Sequence, residues 1–452
     1  MYSPTRRTFI RQAACAALGT TGLLNTIFDL RKLSAATISG ADSSYKALVC
    51  LFLYGGNDAN NVIVPHDANG YASYLAARGA LAIPQASLLP INLSGGRDFG
   101  FHSSLPELQT LFNQGKLAMV ANVGTLVGPI TRAQYLSGGA AVPPQLFSHS
   151  DQSVQWQTSW PNQPARTGWG GRTADLLQSL NPSSKVSLTI SIAGTNTFEV
   201  GNTVIPYQIT PNGTIALSGF NGSANANVRL QAFKDLLAQP HNNLFEQAYA
   251  DTVSRSIADN DFITAALNGV PPLATVFPNT SLGRQLAMVA KMIGARSNLS
   301  MQRQIFFVSV QGYDTHGDQL ASQANLLTEL SQGMKAFYDA TVEMGVDQSV
   351  VSFTASDFGR TYPTNGTGSD HGWGSHQFVM GGSVLGGNLY GTFPTLAVNG
   401  PDDTGQGRWI PTTSVDEFSA TMATWFGVSN SDLATVFPNI GRFANPNLGF
   451  LA

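Results

Sequence analysis

The amino-acid sequence predicts an α/β protein with a doubly wound, mostly parallel sheet flanked by helices. Two observations favour this class. Near-continuous apolar runs, typical of strands buried on both faces, recur along the chain and alternate with helical patterns. Polar and acidic residues follow directly after several of these runs, as expected where the carboxyl ends of parallel strands form a site. At 452 residues the chain is long enough for one large domain of this kind.

Apolar runs predict six strands. The first run is near-continuous and leads into the turn-forming sequence Gly55-Gly56-Asn57-Asp58. Its lack of alternation indicates a strand that is buried on both faces, as in a parallel sheet. We place the six strands at 46–54, 117–123, 186–192, 304–310, 349–354 and 377–384.

Helical patterns lie between and after these strands. The last one begins with a capping box, in which Glu417 follows Ser414 by three residues, and Gly427 ends it. The predicted helices span 105–114, 172–180, 282–295, 319–344 and 415–426.

The segment from about 196 to 281 interrupts the alternation. It begins with a hairpin-like stretch rich in Thr, Asn and Gly, and helical patterns at 228–237 and 243–267 follow. Because sheet-type strands resume after it, we interpret it as an insertion or cap within a single domain that spans 45–452.

The first 36 residues are typical of an export signal. Arg6 and Arg7 stand in a pattern close to the twin-arginine motif, and a mildly apolar stretch follows that is too short and polar for a membrane span. Small residues at 34–36 offer a cleavage site. We therefore expect the twin-arginine export machinery to deliver the protein to the periplasm or the medium, with no stable membrane span after cleavage.

The composition fits an exported globular protein. Charged residues make up 11% of the chain, against about 25% in typical soluble domains. The formal net charge is −3 and no basic stripe is present, which argues against nucleic-acid binding. Cleavage would remove Cys15 and leave Cys50 alone, so we expect no internal disulfide.

Aspartates and histidines follow the predicted strands in a way that indicates a metal or acid–base site. Carboxylates together with neutral imidazoles suit Zn²⁺ or another first-row metal, whereas carboxylates alone suit Mg²⁺ or Ca²⁺. Each residue alone can be explained as a cap or a turn, but their recurrence at separate strand ends predicts one shared site. The residues are Asp58 after the first strand, Asp314 and His316 after the fourth, Asp357 after the fifth, and Asp370, His371 and His376 in one glycine-containing segment.

A nucleophile is predicted at Ser148. It lies in Phe147-Ser148-His149-Ser150-Asp151, at the start of a predicted helix, where backbone N–H groups can contact an anion. The alternative is that Ser150 or Asp151 merely caps the helix. The neighbouring His149 could act as base, ligand or substrate contact. Arg360 is a candidate clamp for a phosphate or sulfate group, because a guanidinium can hold two of its oxygens.

A serine esterase of the SGNH class is an alternative that we rank lower. Gly56-Asn57-Asp58 is similar to the Gly-x-Asn-Asp block of that class, in which the Asn stabilises an oxyanion. Those enzymes also carry a Gly-Asp-Ser block on the first strand and Asp-x-x-His near the C-terminus. Neither occurs at the corresponding place in this chain.

Taken in order, short motifs along the chain resemble an exported family, domain-of-unknown-function family 1501. This family is grouped with the alkaline phosphatase, sulfatase and phosphoglycerate mutase superfamily. The resemblance extends from the twin-arginine segment to the C-terminus. Its motifs are Leu53-Tyr54-Gly55-Gly56-Asn57-Asp58, Phe101-His102, Ser148-His149, Thr167-Gly168-Trp169, Gly312-Tyr313-Asp314-Thr315-His316, Ser356-Asp357-Phe358-Gly359-Arg360-Thr361, Asp370-His371-Gly372-Trp373-Gly374-Ser375-His376 and Pro411-Thr412-Thr413-Ser414.

The resemblance implies a two-metal site. Asp58 and Asp357 would bind the metal that activates the nucleophile, and Ser148 would lie near that nucleophile's position. The superfamily usually has a His directly after the second of these aspartates, whereas this chain has Phe358.

The second metal would be bound by Asp314 and His316, and His371 resembles the superfamily's final His ligand. Five further residues are expected to support the ligands or to contact substrate: Asn57, His149, Arg360, Asp370 and His376.

The resemblance thus implies an exported metal-dependent hydrolase of phosphate or sulfate esters, acting on a small molecule or a polymer. One or two divalent ions, Zn²⁺, Mg²⁺, Ca²⁺ or Mn²⁺, would serve as cofactor. The alternative is a non-catalytic secreted protein that keeps the fold and acts in binding or assembly.

Overall fold

A computed structural model describes residues 44–93, 97–215, 217, 219–220 and 222–452 of the chain. The predicted signal segment at 1–36 lies outside these residues. The described strands are β1 Lys46–Leu53, β2 Ile63–Pro65, β3 Leu89–Asn92, β4 Asp98–Phe101, β5 Leu117–Gly124, β6 Thr189–Ser191, β7 Tyr207–Thr210, β8 Gly213–Thr214, β9 Arg303–Val310, β10 Val350–Ser356, β11 Ser375–Gly381, β12 Leu389–Tyr390 and β13 Thr413–Ser414.

The helices alternate with these strands along most of the chain. They are α1 Ala68–Arg78, α2 Pro106–Asn113, α3 Arg132–Leu136, α4 His149–Thr158, α5 Trp169–Leu177, α6 Ala224–Leu237, α7 Leu244–Asn268, α8 Ser281–Gly294, α9 Gln319–Glu343, α10 Val415–Phe426 and α11 Leu433–Val436. None of the helices in the described ranges combines the length and apolar character needed to cross a membrane.

Ten of the described strands form one central sheet in the order β12-β5-β11-β10-β1-β9-β6-β7-β8, with β13 also paired to β5. β10, β1, β9, β6 and β7 are parallel neighbours, whereas β11 and β8 run antiparallel to the strands beside them. The predicted class, a mostly parallel sheet flanked by helices, is confirmed.

Strand β1 is buried on both faces, as its continuous apolar sequence predicts. Helices α2, α8 and α9 contribute to the core on one face, and helices α5 and α10 contribute to the core on the other. Alternate residues of β1 enter the two cores: Ala47, Val49, Leu51 and Leu53 on the first face, and Leu48, Cys50 and Phe52 on the second.

The register of the parallel strands positions the site. Leu53, the last residue of β1, pairs with Val310 of β9 and with Ser356 of β10. The carboxyl ends of these three strands therefore lie side by side, and the segments that follow them meet at one edge of the sheet.

Two regions differ from a simple alternation of strands and helices. A small antiparallel sheet, β2-β4-β3, lies between β1 and α2 in the sequence and was not predicted. In the segment at 196–281, β7 pairs with β6 and β8 with β7, so this hairpin extends the main sheet. The interpretation of this segment as a cap stays a prediction.

The C-terminal helix agrees with its sequence signals. The Ser414 hydroxyl accepts a hydrogen bond from the backbone N–H of Glu417 at 3.0 Å, and the Glu417 carboxylate accepts one from the backbone N–H of Ser414 at 3.0 Å. This reciprocal pairing is the predicted capping box, and it begins α10 at Val415.

Candidate metal centre

Three histidines and one aspartate converge where β9, β10 and α4 meet. Asp314 and His316 follow β9, His371 lies in the connection between β10 and β11, and His149 is the first residue of α4. One ligand atom each of His149, Asp314 and His371 lies within 4.8 Å of the others. We call these four residues the histidine–aspartate cluster.

The Oδ1 atom of Asp314 is the centre of the cluster. The Nε2 atoms of His149, His316 and His371 lie 3.4, 3.1 and 3.4 Å from it. The Nε2 atoms of His316 and His371 are 2.9 Å apart. The three imidazoles therefore present the same ring nitrogen to one carboxylate oxygen.

Hydrogen bonds on the far side of each ring assign the tautomer. A carboxylate or a carbonyl oxygen can only accept, so each Nδ1 must carry a proton, and in the neutral form of each ring Nε2 then carries the lone pair. The acceptors are Asp357 Oδ2 at 2.7 Å from His149, Asp370 Oδ1 at 3.1 Å from His316, and Phe147 O at 2.7 Å from His371.

The donor set fits a single divalent metal ion. Four ligands around a tetrahedral ion with bonds of about 2.0–2.1 Å lie about 3.3 Å apart. The three Nε2–Oδ1 separations and the separation of the His316 and His371 Nε2 atoms run from 2.9 to 3.4 Å, and ligand atoms of His149, Asp314 and His371 all lie within 4.8 Å of one another. Nε2 of His149 is also buried without a hydrogen-bond partner, which is costly unless a cation or a donor meets it. Carboxylate or carbonyl partners on Nδ1 are the usual support of metal-bound histidines.

The electrostatic environment favours an ionised aspartate among neutral and charged imidazoles. Partial burial would raise the pKa of Asp314, but the hydrogen bond and the charge of Arg360, with smaller contributions from His149 and His316, hold that pKa below its usual value. The hydrogen bond to Asp357 raises the pKa of His149. Burial lowers the pKa of His371, which favours the neutral ring.

Arg360 supports the cluster from inside the protein. Its Nη1 donates to Asp314 Oδ1 at 2.9 Å and to the Gly55 carbonyl at 3.2 Å, and its Nη2 donates to the Ser369 carbonyl at 2.6 Å. The side chain is buried, and both amino groups are committed to the protein. The expected role as an anion clamp at the surface is therefore corrected: this arginine holds a candidate ligand.

Asp357, which the sequence predicts as a ligand, lies behind His149. The carboxylate is buried, and its Oδ2 accepts from His149 Nδ1 and from the backbone N–H of Gly55 at 3.1 Å. Its position is that of a residue that orients an imidazole. Its Oδ1 is buried without a hydrogen-bond partner, so a role of Asp357 as a ligand stays a prediction.

Asp58 lies apart from the cluster in a region of its own. One carboxylate oxygen accepts from Asn60, and the other forms a buried ion pair with Arg78 and accepts from Gln319. The carboxylate is already surrounded by protein donors. We call Asp58, Asn60, Arg78 and Gln319 the Asp58 region, and leave Asp58 out of the candidate ligands.

Phe358 packs against two imidazoles of the cluster. Its ring centroid lies 4.8 Å from that of His149 and 4.7 Å from that of His371. At this position, where the sequence resemblance led us to expect a histidine, an apolar ring supplies no ligand atom.

Ser148 lies beside the cluster at the N-terminus of α4. Its hydroxyl donates to Asp151 Oδ2 at 2.6 Å, and its Oγ is 3.2 Å from that of Ser150. Asp151, for which a helix cap was the alternative interpretation, accepts the hydrogen bond of the predicted nucleophile. The role of Ser148 stays a prediction.

Two residues expected to support the site or contact substrate are buried away from it. His376 stacks on Phe393 and accepts from the backbone N–H of Asn122 at 3.0 Å, and burial lowers its pKa to about 3. This is a core histidine, which corrects its expected role. Asn57 is buried in the turn after β1, where its N–H donates to Ser356 Oγ at 2.8 Å. Asp370, by contrast, contacts His316 as expected.

Several contributors carried no signal in the sequence. Phe147 orients His371 through its main-chain carbonyl. Because any residue type has this group, no sequence pattern could indicate this role. The Phe147 φ of 71° lies in the left-handed region, which is unusual for a bulky residue and marks a strained backbone. Arg78 reaches Asp58 from the end of a helix that sequence patterns did not predict.

Comparison with solved structures gives matches over most of the chain at low identity. Lipoteichoic acid synthase LtaP from Listeria monocytogenes is 9% identical with a TM-score of 0.38, over 88% of this chain and 79% of that chain. A protein in the alkaline phosphatase superfamily from Vibrio parahaemolyticus is 11% identical with a TM-score of 0.36, over 89% and 75%. The PsFucS1 sulfatase from Pseudoalteromonas sp. is 10% identical with a TM-score of 0.36, over 90% and 72%. Likenesses at this level carry no argument about activity.

Comparison of the sequence with curated proteins gives no match. The family model described as "Protein of unknown function (DUF1501)" matches residues 45–440, nearly the whole described chain. This match confirms the family that the motifs predicted. The chain therefore belongs to the DUF1501 family.

Proposed function

We propose that this protein is an exported metal-dependent hydrolase of phosphate or sulfate esters, with one divalent ion bound by His149, Asp314, His316 and His371. The observation that carries the proposal is the convergence of three imidazole Nε2 atoms on one carboxylate oxygen. Imidazoles with a carboxylate suit Zn²⁺ or another first-row ion, whereas Mg²⁺ and Ca²⁺ prefer oxygen ligands. The alternation of strands and helices and the family's grouping with ester hydrolases support the reaction class.

The chain's own residues would prepare the site for this chemistry. A bound divalent ion polarises a phosphoryl or sulfuryl oxygen and stabilises the charge that develops on it. Asp357, Asp370 and the Phe147 carbonyl hold the three imidazoles in one tautomer and one orientation. Ser148 is the proposed nucleophile, and the Asp151 carboxylate, 2.6 Å from its hydroxyl, would accept the proton.

We propose one ion rather than two because Asp58, a member of the second candidate set, is already paired with protein donors, whereas in Asp357 only Oδ2 is paired and Oδ1 is buried without a partner. Asp58 is paired with Arg78, Asp357 is paired with His149, and Phe358 supplies no ligand atom. A second cation would have to displace a buried guanidinium from its carboxylate partner, which is unfavourable.

Metal content and hydrolysis test the proposal together. Purified mature protein, with His149→Ala and His371→Ala variants, is measured by elemental analysis and by urea unfolding with added Zn²⁺. We expect one equivalent of a first-row metal in the wild type only. Zn²⁺ at 100 times its Kd should stabilise the wild type by about 2.7 kcal/mol. The control is His66→Ala, which removes the half-buried His66–Asp98 pair elsewhere and should leave metal binding unchanged.

A panel of phosphate and sulfate esters completes the test. We expect hydrolysis by the wild type, and its loss in Ser148→Ala with the metal retained. Absence of metal from the wild type would overturn the proposal. Metal binding without hydrolysis of any ester would favour the non-catalytic secreted protein instead.

A further inference from the structure

Arg408 lies at the edge of the histidine–aspartate cluster. Its Nε donates to the main-chain carbonyl of His371 at 2.8 Å, and its guanidinium carbon lies 4.4 Å above the centre of the Phe147 ring. These are the two residues joined by the hydrogen bond from His371 Nδ1 to the Phe147 carbonyl. The guanidinium is therefore fixed to the same pair of residues that orients one candidate ligand.

The outer edge of this guanidinium is uncommitted. Within the described residues, the Arg408 guanidinium forms a hydrogen bond through Nε but none through its two amino groups. No carboxylate of these residues forms an ion pair with it. Arg78 and Arg360 are buried, with their amino groups bonded to the protein. Arg408 is half-buried, so two amino groups and a full positive charge remain available to a ligand.

The loop that carries Arg408 is held rigidly. The buried carboxylate of Asp403 accepts from the backbone N–H groups of Asn399, Gly405 and Arg408 at 2.7, 2.9 and 2.8 Å. Arg132 donates to the Asp403 carbonyl at 2.8 Å from a neighbouring helix. A side chain fixed in this way loses little freedom when it binds a ligand.

We propose that Arg408 binds the tetrahedral oxyanion of the substrate, a phosphate or sulfate group, beside the histidine–aspartate cluster. The planar guanidinium can donate from both amino groups to two oxygens of such a group, and stacking on Phe147 keeps it in the required plane. This inference rests on the proposed ester hydrolysis for its biological meaning. It identifies the residue that recognises the anion, a role that Arg360 cannot fill because it is buried.

Binding of inorganic anions tests the inference directly. Zn²⁺-loaded wild type, Arg408→Gln, Arg408→Lys and the control Arg284→Gln are titrated separately with phosphate and with sulfate by calorimetry. Arg284 is exposed and donates to one neutral oxygen, of Asn279. We expect the affinity of the preferred anion to fall about 10- to 100-fold in Arg408→Gln, as for loss of charge-assisted hydrogen bonds, and less in Arg408→Lys. The two anion arms decide between phosphate and sulfate.

Chemical protection gives a readout that does not depend on hydrolysis. Phenylglyoxal should modify Arg408, the bound anion should protect it, and the buried Arg360 should not react. For ester substrates, Arg408→Gln should raise KM more than it lowers kcat.

The two proposals can fail separately. If the metal-loaded enzyme hydrolyses esters while Arg408→Gln leaves KM and anion affinity unchanged, the Arg408 inference is overturned and the proposed function stands. If the protein takes up no metal, the proposed function is overturned, and anion protection of Arg408 in the metal-free protein still tests the inference. Binding of neither anion, or a lack of protection, overturns it.

Discussion

Asp58 and Asp314 follow neighbouring parallel strands, yet their carboxylates lie in opposite environments. The Asp58 side chain is fully buried against Arg78, whereas the Asp314 side chain is 47% exposed among three imidazoles. In the Asp58 region the positive charge comes from the protein itself. In the histidine–aspartate cluster, three imidazole Nε2 atoms face the carboxylate, and in neutral rings their lone pairs would bind a cation.

The difference shows that a strand-end aspartate predicts a site only together with its partners. Asp58 is surrounded by donors, namely the Arg78 guanidinium and the amides of Asn60 and Gln319, which satisfy both carboxylate oxygens. Asp314 Oδ1 accepts from Arg360, and its other neighbours are three imidazole Nε2 atoms, which are free to bind a cation where their rings are neutral. The first region is complete without a ligand, and the second is not.

Two glycines allow the regions to adjoin. Gly55 and Gly56 have φ values of 116° and 82°, in the range that favours glycine. A Cβ on Gly55 would collide with the backbone of Asp314, and one on Gly56 would lie 2.6 Å from the Phe358 ring. The turn after β1 can therefore pack directly against both the cluster and its apolar neighbour.

Removal of Arg78 should give the largest effect. Arg78→Met keeps most of the side-chain volume but leaves a buried carboxylate unpaired and the carbonyls of Thr361 and Tyr362 without their donor. We expect the free energy of unfolding to fall by at least about 3–5 kcal/mol, measured by urea unfolding. Addition of Asp58→Asn to Arg78→Met should recover part of the loss, because the uncompensated charge is removed.

A surface ion pair supplies the matched control. Lys335 and Asp339 form a partly exposed i, i+4 pair, so Lys335→Met should change the stability by no more than about 0.5 kcal/mol. If Zn²⁺ or Mg²⁺ restores the stability of Arg78→Met, the difference that we describe between the Asp58 region and the histidine–aspartate cluster is contradicted. That result would make Asp58 a metal ligand that the arginine merely replaces.

Much of the fold could be predicted because its elements are long and periodic. The sequence places α10 at its observed bounds, since the capping box and Gly427 mark both ends, and β1 within one residue. The small sheet of β2, β3 and β4 was missed because strands of three or four residues carry no recognisable period.

The site was predicted only in part, for a physical reason. Asp314 and His316 follow closely after an apolar strand, and His371 lies beside Asp370 in a glycine-containing segment, so the chain itself displays a signal for each of them. Asp58 carries the same signal, and the partner that changes its meaning, Arg78, comes from a different element 20 residues away. Single-sequence patterns describe each element, whereas ion pairing depends on how elements pack.

The pH dependence of stability should give a smaller effect and sharpen the comparison. His102 is buried near Asp58, and burial lowers its pKa to about 4 although the Asp58 charge opposes this shift. In the unfolded chain the histidine pKa is about 6.5, so below this pH the unfolded state binds the proton first and stability falls as the pH falls. Between pH 7 and 5 the contribution of His102 should be a loss of about 2 kcal/mol.

His102→Asn isolates that contribution. Asparagine can still accept from the backbone N–H of Ser104, as Nδ1 does at 3.0 Å, but it does not titrate. The free energy of unfolding, measured with urea at pH 7 and at pH 5, falls between these pH values. This fall should be about 2 kcal/mol smaller in the variant than in the wild type. Equal losses would mean that His102 is protonated in the folded protein. Arg78 would then compensate the charge of Asp58 only in part. The Asp58 region would resemble the histidine–aspartate cluster in having a carboxylate that attracts a further cation.

The smallest effect that we expect is on Zn²⁺ affinity, when Asp370, the half-exposed hydrogen-bond partner of His316, is replaced. Asp370 accepts from His316 Nδ1 at 3.1 Å and from the Asn365 amide at 2.9 Å, and this second hydrogen bond is the main cause of its lowered pKa. Asp370→Ala should weaken Zn²⁺ binding about 10-fold, because His316 loses the partner that fixes its tautomer and orientation. Asp370→Asn keeps an acceptor oxygen and should lose less.

Competition with a chromophoric chelator measures these Zn²⁺ affinities, and Asp98→Ala, which breaks the similar pair with His66, is the control. If the cluster binds metal, its Zn²⁺ affinity should fall more in Asp370→Ala than in Asp370→Asn. The reason is that each histidine ligand is oriented by a hydrogen-bond acceptor on its Nδ1. Unchanged Zn²⁺ affinity in Asp370→Ala would remove His316 from the ligand set. The remaining residues, His149, Asp314 and His371, would then be the three protein ligands of an open site, with the fourth position left to water or substrate.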